Sequence, residues 1–326
     1  MTDLQKTPFV RELASSDKRI RDKATESLTM FLRSRTDLSL LELLKLWKGL
    51  FFCFYHSDRP LTQQALARNL SYSLVPTLPR ASVHRFLRAF WITIGRDFHS
   101  LDRLRLDKYL FLIRCYVGVA FEVFLKGGAS TAAGAQPGAN KKRKRDAAKK
   151  AGAKKRSKAQ KRGEQEEEED AEEEEEEEQS ADTDKWAALE SYISILEEGP
   201  LCPINFDPDQ PPADEKRDYV PMPHGPDGLR YHIMDLWVDE LEKVLEFDEE
   251  GGDDEAAPKT RKPKGDVPVE LLLRPLEKLR AESAYKPVRV RAGEALEDER
   301  LIEWGFRTRK VESDEEDEEE EWGGFD

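Results

Sequence analysis

Residues 39–55 read SLLELLKLWKGLFFCFY. Apolar side chains recur in this stretch at every third or fourth position, which predicts an amphipathic helix with one continuous apolar face. Ser39 stands just before the first apolar residue, where a hydroxyl side chain commonly caps a helix. The charged residues Glu42, Lys45 and Lys48 lie off the apolar stripe. The stretch therefore predicts a strong helix with one face to bury.

Similar helical patterns continue on both sides of this stretch. Further helices are predicted to start at Thr7-Pro8, Ser16 or Asp17, Pro60, Ser82 and Ser100. They are predicted to stop near Ala14, Arg35, Pro76, Gly95 and Gly127-Gly128. Helices of about one to two dozen residues joined by short turns predict an all-α antiparallel helical stack. A HEAT-like α-solenoid is one form of such a stack and a closed bundle is another.

Composition divides the rest of the chain into ordered and disordered parts. Two amphipathic helices after residue 183 are expected to dock on the N-terminal stack, so that the charged tracts form a long insertion. Pro275 is expected to kink or divide a later helix, and residues 290–304 are predicted as the last one. The predicted parts are the helical stack 1–126, the disordered linker 127–183 with a basic and then an acidic tract, the docking helices 184–247, the disordered linker 248–265, the C-terminal helices 266–306 and the acidic disordered tail 307–326.

The net charge of −14 conceals a strong asymmetry along the chain. Residues 1–163 contain 34 Lys and Arg against 13 Asp and Glu, whereas the remainder contains 19 against 54. Within 1–126 alone, 21 basic side chains face 12 acidic ones. A cationic folded part indicates an anionic partner.

Basic residues concentrate around the predicted fourth and fifth helices. The candidates for RNA or phosphate contact are Arg80, Arg85, Arg88, Arg96, Arg103, Arg105 and Lys108. Arginine binds phosphate well, but acidic residues lie among these positions, and the spacing of Arg103 and Asp107 suits an intrahelical salt bridge. RNA contact and structural pairing therefore both stand as interpretations.

Two basic clusters within the predicted linker are typical of a nuclear localisation signal, which a nuclear import receptor binds. They comprise Lys141, Lys142, Arg143, Lys144, Arg145, Lys154, Lys155 and Arg156. The same density also suits a nonspecific polyanion-binding tail or a solubilising charge run. The glutamate run that follows could bind basic proteins, screen the basic tract or keep the chain soluble.

The sequence offers no recognisable catalytic, metal or phosphate-binding motif. Its histidines lack HExxH spacing, it has no P-loop, and Cys53, Cys115 and Cys202 are far apart. Pairs such as Asp97 with His99, or Asp102 with Asp107, occur by chance on helical surfaces. We expect no enzyme, no cofactor, no metal, no small-molecule substrate and no membrane span. Most of the dense aromatic residues after Trp47 should be core, which leaves Phe52 and Tyr55 as a candidate partner surface.

Several long blocks resemble the ribosomal RNA-processing protein 1 family. They are LWKGLFFCFYHSDRPLTQQALA at 46–67, FLRAFWITIGRDF at 86–98, LDRLRLDKYLFLIR at 101–114 and GLRYHIMDLWVDELEKV at 228–244, with weaker likeness at 271–279 and 289–304. The resemblance implies an α-helical, HEAT-type nucleolar protein without catalytic residues. The long charged insertion after Leu125 and the short C-terminus depart from the family pattern, so functions that depend on long basic tails are not carried over.

The resemblance implies a non-enzymatic nucleolar scaffold that acts in pre-rRNA processing and assembly of the large (60S) ribosomal subunit. Its expected partners are large-subunit precursor ribosomal RNA and pre-ribosomal assembly factors, in the nucleus and nucleolus. The alternative from another class is an acidic nuclear chaperone or import adaptor for basic proteins. Deleting residues 164–178 should abolish chaperoning but leave a scaffold largely functional.

Overall fold

The computed structural model describes residues 11–134, 185–248 and 261–308. These residues form α-helices joined by turns and loops, and their only extended pairings are two isolated bridges. The helices are α1 (Lys18–Ser34), α2 (Leu40–Tyr55), α3 (Pro60–Arg68), α4 (Arg80–Asp97), α5 (Arg103–Gly134), α6 (185–198), α7 (Asp227–Val244), α8 (Val269–Glu282), α9 (Lys286–Leu296) and α10 (Glu299–Glu303). The predicted all-α fold is confirmed.

Local capping explains where the first helices begin. The Asp17 side chain accepts the Arg19 backbone N–H at the start of α1. At the start of α2, Ser39 and Glu42 form a reciprocal capping box, in which each side chain binds the other residue's backbone N–H. Pro60 occupies the first position of α3, where its missing N–H removes no hydrogen bond of the helix. The sequence signals at these three starts are confirmed.

The N-terminal helices form two layers in which alternate helices are neighbours. Helix α2 packs on α4, and α3 packs on α5. The core between them is aromatic: the Trp47 indole contacts Phe86, Phe90 and Tyr116, and the rings of Phe90 and Tyr116 stack with centroids 3.9 Å apart. The indole N–H of Trp47 donates to the Phe86 carbonyl at 3.1 Å, so its polar group is satisfied inside the core. Aromatic burial thus holds the layers together.

The later helices pack on this stack. Helix α7 lies against α5, where the rings of Phe121 and Trp237 meet edge to face at 4.9 Å. Helix α6 reaches α5 through Tyr192, which stacks on Phe124. Helices α8 and α9 pack on each other, and α9 also contacts α7. One continuous hydrophobic core therefore includes residues from α1 through α10.

Several predicted helix boundaries are wrong. Helix α5 continues through Gly127-Gly128 to Gly134, past the predicted end of the stack at 126. Glycine weakens a helix by only about 1 kcal/mol, and the residues that follow include good helix formers. Helix α4 begins after Pro79 rather than at Ser82 and runs past Gly95 to Asp97.

The C-terminal helices also differ from prediction. Pro275 lies inside α8 without dividing it, and the ring is buried in the apolar face of that helix. The predicted helix over 290–304 is two helices, because the Asp298 side chain accepts the Arg300 N–H and starts α10 anew. At the two described ends of the predicted 248–265 linker, Asp248 N–H donates to Lys262 O at 3.0 Å. The predicted helix start at Thr7-Pro8 and most of 127–183 and 307–326 lie outside the described residues.

Candidate nucleic-acid and partner interface

The predicted phosphate contacts lie at two ends of the stack rather than on one face. Arg80 and Arg85 belong to the first turns of α4, and Arg85 reaches Leu38, which precedes α2. Arg103 and Arg105 begin α5, where Arg105 reaches Asp58 beyond the end of α2. The 16 residues of α2 separate these two regions by about 24 Å. The candidate cations therefore fall into two separate groups.

At the first end, Arg85 and Arg88 fasten a later segment to α4. The Arg88 guanidinium donates to both carboxylate oxygens of Glu198, at 2.7 and 2.5 Å, and is only 18% exposed. Arg85 donates to the Leu38 carbonyl at 3.0 Å and pairs with Asp218 at 3.3 Å. Two-point arginine–carboxylate pairs fix geometry as well as charge. Both arginines thus position residues 198–218.

At the other end, Lys108 is 4% exposed and points into the protein. Its ammonium donates to the carbonyls of Tyr55 and Ser57, at 2.8 and 3.2 Å, and to the Asp58 carboxylate at 2.9 Å. Burial lowers the pKa of this ammonium, and its hydrogen bond holds the pKa of Asp58 below the usual value. Lys108 therefore anchors the α2–α3 turn and has no donor left to offer phosphate.

Arg105 and Tyr55 belong to the same polar cluster. The Arg105 guanidinium lies 4.3 Å from the centroid of the Tyr55 ring and donates to Asp58 and Asp102. The Tyr55 hydroxyl donates to Asp102 at 3.2 Å. Hydrogen bonding from Arg105 lowers the pKa of Asp102, which keeps this carboxylate ionised. Tyr55, predicted as partner surface, is half-buried in this cluster.

The remaining predicted cations differ in whether they form ion pairs with carboxylates. Arg96 pairs with the adjacent Asp97 at 3.0 Å, and Lys48 of α2 pairs with the same carboxylate. Arg80 and Arg103 are exposed and form no ion pair with any described residue. The Arg103–Asp107 salt bridge that the spacing allowed does not form, and Arg105 rather than Arg103 meets the local carboxylates. Arg80 and Arg103 are thus the predicted residues best placed to meet phosphate.

Three apolar side chains stand out around the start of α5. Phe52 is 38% exposed, Leu61 is 83% exposed and Leu104 is 92% exposed. The Asp58–Arg105 pair, at 3.2 Å, joins the turn that carries Leu61 to the helix start that carries Leu104. Arg59 and Arg103 are exposed in the same two turns. We call Phe52, Arg59, Leu61, Arg103 and Leu104 the turn surface.

Sequence reasoning missed most of the turn surface. Leu61 stands five residues before Leu66, outside the three- and four-residue spacing of one helical stripe. That offset was the available signal. Leu104 gave a weaker signal, since it directly follows Arg103 at a helix start, where few turns exist to cover it.

The remaining sequence predictions concern nuclear localisation, metal binding and membrane spans. The nuclear localisation residues at 141–145 and 154–156 lie outside the described residues. Within the described residues, no group of histidine, cysteine, aspartate and glutamate side chains is arranged to hold a metal ion. Nor does any helix in the described ranges have the length and apolar character needed to cross a bilayer.

Comparison with known proteins gives a family match over most of the chain. A family profile described as "Nucleolar protein, Nop52" matches residues 4–133 and 182–323. The human ribosomal RNA processing protein 1 homolog B is 41% identical over 125 residues, which is 37% of this chain and 16% of that protein. The human homolog A is 36% identical over 125 residues, or 37% of this chain and 27% of that protein.

A more distant relative carries the same protein name. The Drosophila melanogaster ribosomal RNA processing protein 1 homolog is 28% identical over 120 residues, covering 35% of this chain and 17% of the relative. The aligned part spans between 16 and 27% of these three relatives' lengths. The profile, by contrast, includes both the N-terminal helices and α6 to α10. Because the profile covers most of the chain, the chain belongs to the Nop52 family of nucleolar proteins.

Proposed function

We propose that the chain is a non-enzymatic scaffold in ribosome biogenesis, needed for pre-rRNA processing and for assembly of the large (60S) subunit within its precursor particle. The observation that carries the proposal is the family match over residues 4–133 and 182–323, with relatives named for ribosomal RNA processing. The fold supports a scaffold, because ion pairs and aromatic contacts fasten α6 and α7 to the first helices. Such a body presents separated surfaces at fixed distances.

The turn surface is the region we assign to precursor RNA. Arg59 and Arg103 are exposed and have no carboxylate partner among the described residues, so both can donate to phosphate oxygens. Arg80, at the other end of α4, offers a second contact about 27 Å away along that 18-residue helix. Arg85, Arg88, Arg105 and Lys108 would act indirectly, by holding the surrounding turns in place.

The experiment is a charge reversal at the turn surface in the full chain. Arg59→Glu with Arg103→Glu should lower the fraction of the protein that cosediments with large-subunit precursors, and should make the remaining association less sensitive to salt. Lys286→Glu is the matched control, since Lys286 is an exposed cation at the start of α9, away from this surface. Unchanged cosedimentation and salt dependence in the double variant would overturn RNA contact at this surface.

The absence of catalysis is part of the proposal. Asp58 and Asp102 each accept hydrogen bonds from cations that lower their pKa, so neither is suited to donate a proton at neutral pH. We expect the purified chain to leave precursor RNA intact. Cleavage that disappears in an Asp102→Asn variant would contradict this expectation.

Nuclear entry is assigned to the basic clusters at 141–145 and 154–156, through an import receptor. Replacing both clusters with alanine should leave a fluorescently tagged chain in the cytoplasm. The acidic-chaperone alternative is tested separately by deleting 164–178. If the deletion abolished binding of basic proteins and also blocked precursor processing, the chaperone function would replace the scaffold.

A further inference from the structure

Two apolar side chains project from a loop between α6 and α7. Phe206 is 80% exposed and Ile204 is 41% exposed. They are two residues apart, between Pro203 and Pro208, in a segment that reads PINFDPDQ over residues 203–210. Aromatic residues, Phe among them, are enriched at protein–protein interfaces relative to the rest of the protein surface. We call residues 203–210 the 203–210 loop.

The loop is held in place at both ends. Just before it, the Cys202 carbonyl accepts a 2.8 Å hydrogen bond from Arg230, whose side chain is fully buried. At its far end, the Gln210 side-chain amide donates to the Met222 carbonyl at 2.8 Å. Leu201 and Met222, beside these anchors, are completely buried. The exposed side chains therefore stand on a fixed base.

Hydrogen bonds also organise the loop itself. The Asp209 N–H donates to the Asp207 carboxylate at 2.9 Å, and the Asn205 amide reaches Asp227 of α7 at 3.4 Å. Two prolines further reduce the conformations that the backbone can adopt. A loop that is ordered before binding loses little conformational entropy when a partner covers it. This arrangement suits recognition rather than a passive connection.

The negative charge of the loop indicates which kind of molecule binds it. Asp207 and Asp209 follow Phe206 in the sequence, the segment contains no lysine or arginine, and neither aspartate forms an ion pair with a described residue. Two carboxylates so close along the loop to Phe206 disfavour contact with a phosphate backbone. The chain's own basic tract at 141–162 contains no large apolar residue to cover Phe206. An occupant must supply both an apolar pocket and positive charge.

We propose that the 203–210 loop inserts Phe206 and Ile204 into an apolar pocket of a partner protein, and that lysine or arginine side chains around that pocket meet Asp207 and Asp209. This surface is separate from the turn surface and does not depend on RNA contact there. Buried aromatic anchors usually dominate such interfaces, and flanking charges speed association.

The first step of the test locates the partner by chemistry. The photoreactive residue p-benzoylphenylalanine replaces Phe206 in the full chain, which is irradiated in growing cells, and the crosslinked peptide is sequenced. The same replacement at Leu61 is the matched control, because its side chain is equally exposed in the turn surface. We expect the Phe206 probe to mark a protein segment that combines apolar residues with lysine or arginine, and the Leu61 probe to mark something else.

The second step measures binding between the purified full chain and the marked protein. Phe206→Ala should weaken the affinity at least about tenfold. Asp207→Asn with Asp209→Asn should slow association and flatten its salt dependence. Leu61→Ala should change neither value. Because Phe206 is exposed, its replacement should leave the thermal unfolding curve unchanged, which separates lost binding from lost folding.

Each contrary result overturns the proposal. A Phe206 crosslink to RNA or to a second copy of the chain would assign the loop to a different ligand, and no crosslink above background would leave it without an occupant. An affinity that Phe206→Ala does not change would remove the aromatic side chain from the interface. None of these results bears on cosedimentation of the Arg59 and Arg103 variants.

Discussion

At the scale of single residues, the cysteine thiols show how burial controls reactivity. Cys53 is 1% exposed and Cys115 is 4% exposed. Burial raises the pKa of both thiols, that of Cys115 to about 11. Since the thiolate is the reactive form, few of these groups are ionised at neutral pH.

We therefore expect Cys53 and Cys115 to resist alkylation by iodoacetamide in the folded chain and to react once the chain unfolds. Peptide mass spectrometry with and without denaturant measures each thiol separately. Alanine in place of Cys202, the third buried cysteine, leaves Cys53 and Cys115 as the only thiols and serves as the control. Rapid labelling of either residue in the native protein would show that the helices around it open far more readily than their packing indicates.

Asp298 gives a residue-scale prediction on pH. Hydrogen bonding from Arg300 lowers its pKa below the usual 3.8. A carboxyl whose pKa is depressed by folding adds stability above its unfolded pKa and loses that contribution as the pH falls through the folded pKa. Asp298→Asn should thus lower the free energy of unfolding by about 1 kcal/mol near pH 6.

The difference between wild type and this variant should shrink as the pH is lowered to about 3, because the wild-type carboxylate then becomes protonated. Thermal unfolding at a series of pH values measures it. Asp266→Asn is a control at an exposed carboxylate whose only described partner is Lys185. If the difference in free energy of unfolding between wild type and Asp298→Asn stays constant down to pH 3, the charge of Asp298 is not its source.

Single-residue partners were the least predictable feature of the candidate site. Lysine and arginine in one stretch of sequence suggest a phosphate-binding patch, yet Arg88 pairs with Glu198, 110 positions away. Arg114 likewise meets Glu240 on α7. Such partners become visible only when the helices are packed. The sequence did indicate the excess of positive charge. Arg80 and Arg103, two of the predicted cations, are exposed in the structure.

At the scale of helices, the sequence predicted starts better than ends. Asp17, Ser39 and Pro60 act within one turn, so their signals survive in the fold. Helix ends depend on what the helix packs against. Helix α8 keeps Pro275 because its apolar face, built from Leu272, Leu276 and neighbouring leucines, is buried on both sides of the proline. That gain in burial offsets the missing hydrogen bond.

The contact between α5 and α7 is close at Gly118. A Cβ atom added at Gly118 would lie 2.4 Å from the Tyr72 hydroxyl and 2.6 Å from a carboxylate oxygen of Glu240. Glu240 is 1% exposed and held by Arg114 and Lys243, so it has little freedom to move. Gly118→Ala should therefore lower the free energy of unfolding by about 1–3 kcal/mol, through overpacking.

Gly127→Ala on the same helix provides the matched control. Its added Cβ meets no atom of a described residue within 4 Å, so the better helix propensity of alanine should stabilise α5 by up to about 1 kcal/mol. Chemical denaturation measures both variants, and Tyr72→Phe added to Gly118→Ala should restore part of the loss. Equal effects at the two glycines would contradict a close contact between α5 and α7.

At the scale of the whole molecule, one helical body holds two distinct surfaces. The turn surface lies where α3 and α5 begin, whereas the 203–210 loop precedes α7. Contacts of α6 and α7 with α4 and α5 fix the two surfaces relative to each other. Exposed cations characterise the first surface, whereas the half-buried Asp207 and the exposed Asp209 characterise the second. This difference suits simultaneous contact with RNA and with a protein.

The measurement that tests the central claim most directly is affinity purification of the tagged chain from growing cells. RNA crosslinked to the protein is sequenced, and the proteins recovered with it are identified. The account predicts large-subunit precursor RNA together with nuclear assembly factors. Recovery of histones or free basic proteins without precursor RNA would contradict it.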